Sequence, residues 1–145
     1  MQASLIQSSD EHHWVLLDHR VTQLVVETTT VRLQSWSLDG SLEIRLGAPF
    51  TLRVGEGSVR TLDPSDAPAL APLLSLLGRP LRAVTVARGG DLTLDFGAAT
   101  TIVAPAHPRL DSWEVQGAGA LEGVAYSCGP GDAGPLPGAA EGAAP

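Results

Sequence analysis

Strict alternation of apolar and polar side chains is the feature that most narrows what this chain can fold into. It runs through Leu42-Glu43-Ile44-Arg45-Leu46, Phe50-Thr51-Leu52-Arg53-Val54 and Leu92-Thr93-Leu94-Asp95-Phe96. Successive side chains of an extended backbone point to opposite faces, so each segment has one dry and one wet face, as a strand in a sheet covered on one side must. Less regular runs rich in β-branched residues occur at 21–26, 31–36, 81–86, 100–103, 113–116 and 121–126. Nine candidate strands in 145 residues predict a single, mainly β domain, arranged as a sandwich, a split barrel or a roll.

A shift of fifty positions lays residues 42–53 over 92–103, with Leu42/Leu92, Gly47/Gly97, Ala48/Ala98 and Thr51/Thr101 identical. This predicts an internal repeat, about 31–54 and 81–104, in which each copy contains a hairpin. Residues opposite each other in an antiparallel pair share a face, so Leu46, Ile44 and Leu42 should oppose Phe50, Leu52 and Val54. That register leaves Gly47-Ala48-Pro49 as the loop and sets Glu43 opposite Arg53, avoiding two facing arginines. Between the copies, Leu70, Leu73, Leu74 and Leu77 form one helical stripe ended by Gly78. A short helix over about 68–77, its stripe packed on a sheet face, is expected, starting no earlier because Pro72 cannot donate to an established ladder.

At the ends the composition changes. Residues 129–145, GPGDAGPLPGAAEGAAP, contain one large apolar side chain, Leu136, and are expected to be a disordered tail. Residues 1–12 are read as a flexible N-terminus, leaving 13–128 as the domain. No apolar stretch is long enough to cross a bilayer as a helix, and no basic, apolar leader opens the chain, so a cytoplasmic location is expected. Sixteen acidic against nine cationic side chains, a formal net charge of −7, argue against a nucleic-acid partner. Lysine and asparagine are absent, which is the mark of a biased genome; arginine is therefore not a choice over lysine here.

Several motifs in fixed order carry a resemblance. They are Gly47-Ala48-Pro49-Phe50-Thr51-Leu52-Arg53, Leu62-Asp63-Pro64, Ala69-Leu70-Ala71-Pro72-Leu73-Leu74-Ser75-Leu76-Leu77-Gly78, Leu92-Thr93-Leu94-Asp95-Phe96-Gly97 and Pro108-Arg109-Leu110-Asp111-Ser112-Trp113-Glu114-Val115. Over residues 21–131 they resemble an uncharacterised family of small bacterial proteins, domain of unknown function 6188. Its members end in a Cys-x-Pro-Gly-like motif that Cys128-Gly129-Pro130-Gly131 matches, and carry an aromatic where this chain has Leu110. The resemblance implies the architecture and no activity. Small size, acidity and β content are also similar to those of immunity proteins that neutralise bacterial toxins.

The chemistry-bearing residues point more to binding than to catalysis. Asp10-Glu11-His12-His13 lacks a spaced second cluster, and adjacent side chains on an extended chain diverge, so no metal is expected there. Cys128, the single cysteine, forms no intramolecular disulfide. Neither a Gly-x-Ser-x-Gly elbow nor a glycine-rich phosphate loop is present, and Gly89-Gly90 precedes a strand, not a helix; an enzyme is not the expectation, and no cofactor is implied. Three tryptophans, Trp14, Trp36 and Trp113, include two Ser-Trp pairs. Tryptophan in a strand is ordinarily packing, but Trp113 sits in a charged run with Arg109, Asp111 and Glu114, which makes these four the candidate binding surface. The expectation is an acidic protein-binding module, immunity-like, whose partner is another protein; the alternative is a small-molecule binder or enzyme using a cleft between the two β units.

Overall fold

The computed structural model describes residues 4–7, 11–16, 18–38, 40–122, 124–129 and 136–137. Among them run β1 (Ser4–Gln7), β2 (Glu11–Val15), β3 (Arg20–Val26), β4 (Val31–Trp36), β5 (Gly40–Leu46), β6 (Phe50–Arg53) and β7 (Val59–Leu62). A 3-10 helix (Ala67–Leu76) precedes β8 (Ala83–Ala87), β9 (Leu92–Asp95), β10 (Thr101–Ala104), β11 (Trp113–Gly119), β12 (Ala125–Cys128) and β13 (Leu136–Pro137). They form two antiparallel sheets, of seven strands in the order β1-β2-β8-β9-β10-β6-β7 and of six in the order β13-β12-β11-β5-β4-β3. The protein is mainly β and sandwich-like.

Alternation explains why the sheets close on each other. In the six-stranded sheet Val31, Leu33, Leu42, Ile44, Leu46, Trp113 and Val115 turn inward; in the seven-stranded sheet Phe50, Leu52, Val84, Val86, Leu92, Leu94, Ile102 and Ala104 do so. All belong to one buried cluster, each large member contributing about 1.5–3 kcal/mol by leaving water. Their polar alternates, such as Arg32, Arg45 and Glu114, stay on the wet faces. Residues 78–81, which lead from the helix back into the seven-stranded sheet, are bonded to the start of the first strand of the other sheet: Gly78 N donates to Val21 O at 2.8 Å, Val21 N to Arg79 O at 2.9 Å and Leu81 N to His19 O at 3.0 Å. This seam ties the start of β3 to the strand entering the other sheet.

The expected first hairpin does not form. β5 pairs with β4 and β11, whereas β6 pairs with β7 and β10 in the opposite sheet; Ile44 therefore opposes Leu33 and Val115, not Leu52. Gly47-Ala48-Pro49 is a crossover between layers. Gly47 N donates to Ser112 O, and a Cβ at Gly47 would stand 2.5 Å from Asp111 O, so the backbones approach where a side chain would not fit. The equivalent stretch of the other copy does turn back, pairing Leu94 with Ile102 and Asp95 with Thr101. The two segments thus share an alternation pattern but not a topology.

The leucine segment winds as a 3-10 helix. Leu70, Leu73 and Leu76 are buried, while Leu74 is 58% and Leu77 43% exposed, so the dry stripe has a period of three instead of the α-helical spacing expected. Pro72 is the physical reason: in α geometry its ring would press on the carbonyl of Pro68. The helix runs along the side of the sandwich, against edge strand β3, with Pro72 and Ser75 beside Leu52, Val54 and Arg60 of the β6–β7 hairpin.

The ends also differ from expectation. In the N-terminal stretch read as flexible, Ser4–Gln7 pairs with residues 12–15 of β2, and β2 in turn pairs with β8. Of the expected tail, residues 130–135 and 138–145 lie outside the described residues, and Leu136–Pro137 pairs with Tyr126 and Ser127. Residues 121–122, expected in a strand, lie in the turn before β12. Strand β7, which the alternation did not reveal, buries Leu62 alone.

Candidate functional site

Three of the four candidate residues meet at one cleft. Asp111, Trp113 and Glu114 line a cavity of about 320 Å³ at one end of the six-stranded sheet, with Thr30, Arg45, Gly47, Ser127, Cys128 and Gly129. Register brings them there: Glu114 on β11 is the direct partner of Arg45 on β5 and of Ser127 on β12, and all three occupy the wet face. Asp111 is held just before β11 because Gly47 N donates to Ser112 O at 3.1 Å and Ser112 N to Cys128 O at 2.8 Å. The Ser112 hydroxyl, fully buried, accepts from His107 N at 2.7 Å. His107 Nδ1 in turn accepts the backbone N–H groups of Arg109 at 3.0 Å and Leu110 at 3.2 Å, so the loop carrying Asp111 is pinned by its own imidazole. Arg109, the fourth candidate, is exposed and does not line the cleft.

Trp113 is not an exposed anchor. It is 2% exposed and its indole Nε1 donates to Gly90 O at 2.8 Å, joining β11 to the β8–β9 turn of the other sheet. The exposed indole belongs to Trp36, at 50%, two residues from Leu38, at 89%. Trp36 stands on the wet face of β4 with Arg20 of β3 opposite on one side and Ser41 of β5 on the other; beyond Ser41 comes Ala118. Ser41 and Ala118 are too short to cover an indole and Arg20 directs its guanidinium to Gly78 O at 2.9 Å, so Trp36 stays half exposed. The parity of Val31-Arg32-Leu33-Gln34-Ser35-Trp36 already places Trp36 with Arg32 and Gln34, so the signal was present in the sequence and was missed.

Several other polar groups have structural partners. His13 Nδ1 shares a 2.7 Å hydrogen bond with Thr85 Oγ1, and buried His19 meets Ser35 Oγ at 3.3 Å. Cys128 is buried. Arg32 reaches Glu43 at 3.3 Å and Glu27 at 3.5 Å on the wet face. Among the described residues no group of three His, Cys, Asp or Glu side chains could hold a metal ion, and no helix is long and apolar enough to cross a membrane. The Asp63 carboxyl sits below its ordinary range because the backbone N–H and the hydroxyl of Ser65 both donate to it.

The chain belongs to the family of unknown function DUF6188, whose model matches residues 14–133. No curated protein and no solved structure matches it.

Proposed function

We propose that this protein is a protein-binding module that docks a cationic partner through the turn end of its six-stranded sheet, with Trp36 and Leu38 as the anchoring side chains. One observation carries the reading: an indole at 50% and a leucine at 89% exposure lie two residues apart at the end of β4, where neither contributes much to the core. Tryptophan concentrates binding energy at interfaces because a large, stiff apolar surface is removed from water at little entropic cost. Asp18 and Glu122, both exposed, lie towards the same end: Asp18 precedes His19, which bonds Ser35, and Glu122 N donates to Gly119 O, opposite Gly40. The chain's net charge of −7 favours a basic partner and speeds its approach. An immunity-like role, in which an acidic module caps a basic toxin, is one form of the same reading.

The test is affinity capture from cells that make the protein, using the parent, Trp36→Ala, Leu38→Ser and Trp36→Ala/Leu38→Ser chains as baits. A basic protein retained by the parent at low salt and lost with Trp36→Ala supports the reading. A bound set that is unchanged in the double variant refutes it.

A further inference from the structure

The cleft at the other end of the six-stranded sheet lies about 13 Å along the strands from the Trp36 row, four residues away on β5, and does not depend on the reading above. A row of four side chains crosses the wet face there: Arg32, Arg45, Glu114 and Ser127, on β4, β5, β11 and β12. Arg32 is ion-paired with Glu27 and Glu43. Arg45 and Glu114 are direct neighbours of opposite charge, yet among the described residues no ion pair joins them, and none joins Arg45 to Asp111. Both instead open into the same cavity of about 320 Å³, which Asp111 also lines, and Glu114 Oε2 accepts from Gln116 Nε2 at 3.4 Å.

We propose that this cleft binds a small zwitterion of the α-amino-acid type. A guanidinium and two carboxylates that line one cavity without pairing are complementary to a ligand that carries an anion and a cation on one short skeleton. Arg45 takes the ligand carboxylate, since a guanidinium presents two parallel donors to that group. Asp111 and Glu114 take the ammonium. Arg45 is what makes the site selective: a chain of net charge −7 attracts any cation weakly, whereas a single guanidinium in the cleft repels a bare amine and rewards a ligand that brings its own carboxylate. The anchored loop supports this role, because Asp111 is fixed by the Ser112 and His107 hydrogen bonds and need not be ordered on binding.

Backbone amide NMR titrations of the full chain with L-leucine, 3-methylbutylamine and 4-methylpentanoate test it. The three share a skeleton and differ only in carrying both charges, the cation alone or the anion alone. The expected result is saturable shifts at residues 45–47, 111–114 and 127–129 with L-leucine, and at least tenfold weaker binding of either single-charge analogue. Arg45→Gln should lose at least tenfold in L-leucine affinity and abolish the preference over the amine; Asp111→Asn/Glu114→Gln should abolish the preference over the acid. Equal binding of the three compounds, shifts confined to other residues, or no saturation with L-leucine or L-methionine up to about 10 mM overturns the proposal. Because Arg45 and Asp111 are exposed, these variants leave the core intact, and an unchanged denaturation midpoint verifies that.

Discussion

Replacing Leu73 and Leu74 by alanine, one at a time, separates a 3-10 helix from an α-helix by stability alone. In the structure Leu73 is fully buried against the core, whereas Leu74, its immediate neighbour, is 58% exposed. Leu→Ala removes three carbons, worth about 2.4 kcal/mol of transfer free energy when fully buried, and the cavity left at a site that cannot collapse raises this to about 3–4 kcal/mol. At Leu74 less than half of the transfer contribution applies and no cavity forms, so the cost stays at or below about 1 kcal/mol. The same contrast holds between Leu76, fully buried, and Leu77, 43% exposed. Urea denaturation followed by circular dichroism measures both, with the slope checked for constancy so that midpoints report stability. Leu73→Ala should lower the thermal midpoint by about 10 °C or more and Leu74→Ala by less than about 4 °C. Equal losses at Leu73 and Leu74, or a larger loss at Leu77 than at Leu76, would restore the period of an α-helix and refute the geometry argued from Pro72.

Other perturbations read other parts of the fold. Trp113→Phe deprives Gly90 O of its indole donor and should cost about 1–3 kcal/mol, measured by the urea midpoint; a neutral result would show that the bond between the sheets is not formed. In a Trp14→Phe background, acrylamide should quench Trp36 readily and spare Trp113, and the reverse order would exchange their assigned faces. In the β9–β10 turn, Ala98 and Ala99 have φ of +52° and +59°, with Thr100 N donating to Gly97 O; Ala99→Gly should stabilise the protein by about 0.5–1 kcal/mol, and destabilisation would contradict the turn. Asp63 has a folded pKa below its ordinary 3.8, so its stabilising contribution is present above about pH 4 and is lost as pH falls through the lowered value; Asp63→Asn should flatten that part of the stability profile, and an unchanged profile would mean that another carboxylate carries it.

The position and inner face of most strands were legible because burial enforces parity. β4, β5, β6, β9 and β10 each bury every second residue, as the alternation requires. Which strand pairs with which was less legible, for a physical reason. β5 and β6 present the same pattern whether the chain folds back within one sheet or crosses to the other, since in both cases the dry faces meet the same core. The mark of a crossing lies in the linker: Ala48 is 2% exposed, unlike the tip of a hairpin, and Pro49 cannot supply an N–H to a tight turn. β7 escaped notice because an edge strand with one buried residue carries almost no period-two signal. The helix was located but given the wrong period, because Leu70 and Leu73 fit both windings and only Leu74 against Leu76 decides between them.

The two Ser-Trp pairs show how far local context can mislead when parity is available. Trp113 lies among Arg109, Asp111 and Glu114, a charged neighbourhood that suggests a surface, yet Trp113-Glu114-Val115-Gln116 alternates with tryptophan on the valine side, and Trp113 and Val115 are both buried. Trp36 follows an ordinary strand and suggests packing, yet its parity matches Arg32 and Gln34, and it stands in solvent. In a sheet the neighbours that decide exposure are residues i±2 and the cross-strand partners, not i±1, because adjacent side chains point to opposite faces. Of the carboxylates flanking Trp113, Glu114 lies on the parity opposite to the tryptophan itself, and Asp111 stands exposed before the strand begins. Glu114 and Asp111 reach a cleft because β11 aligns Glu114 with Arg45 and Ser127 across three strands, an alignment set by the register of distant segments. Arg45 entered the cleft by the same route. Nothing within its own strand distinguishes it from Arg32 or Arg53, and only the pairing of β5 with β11 places its charge opposite a carboxylate that it does not neutralise.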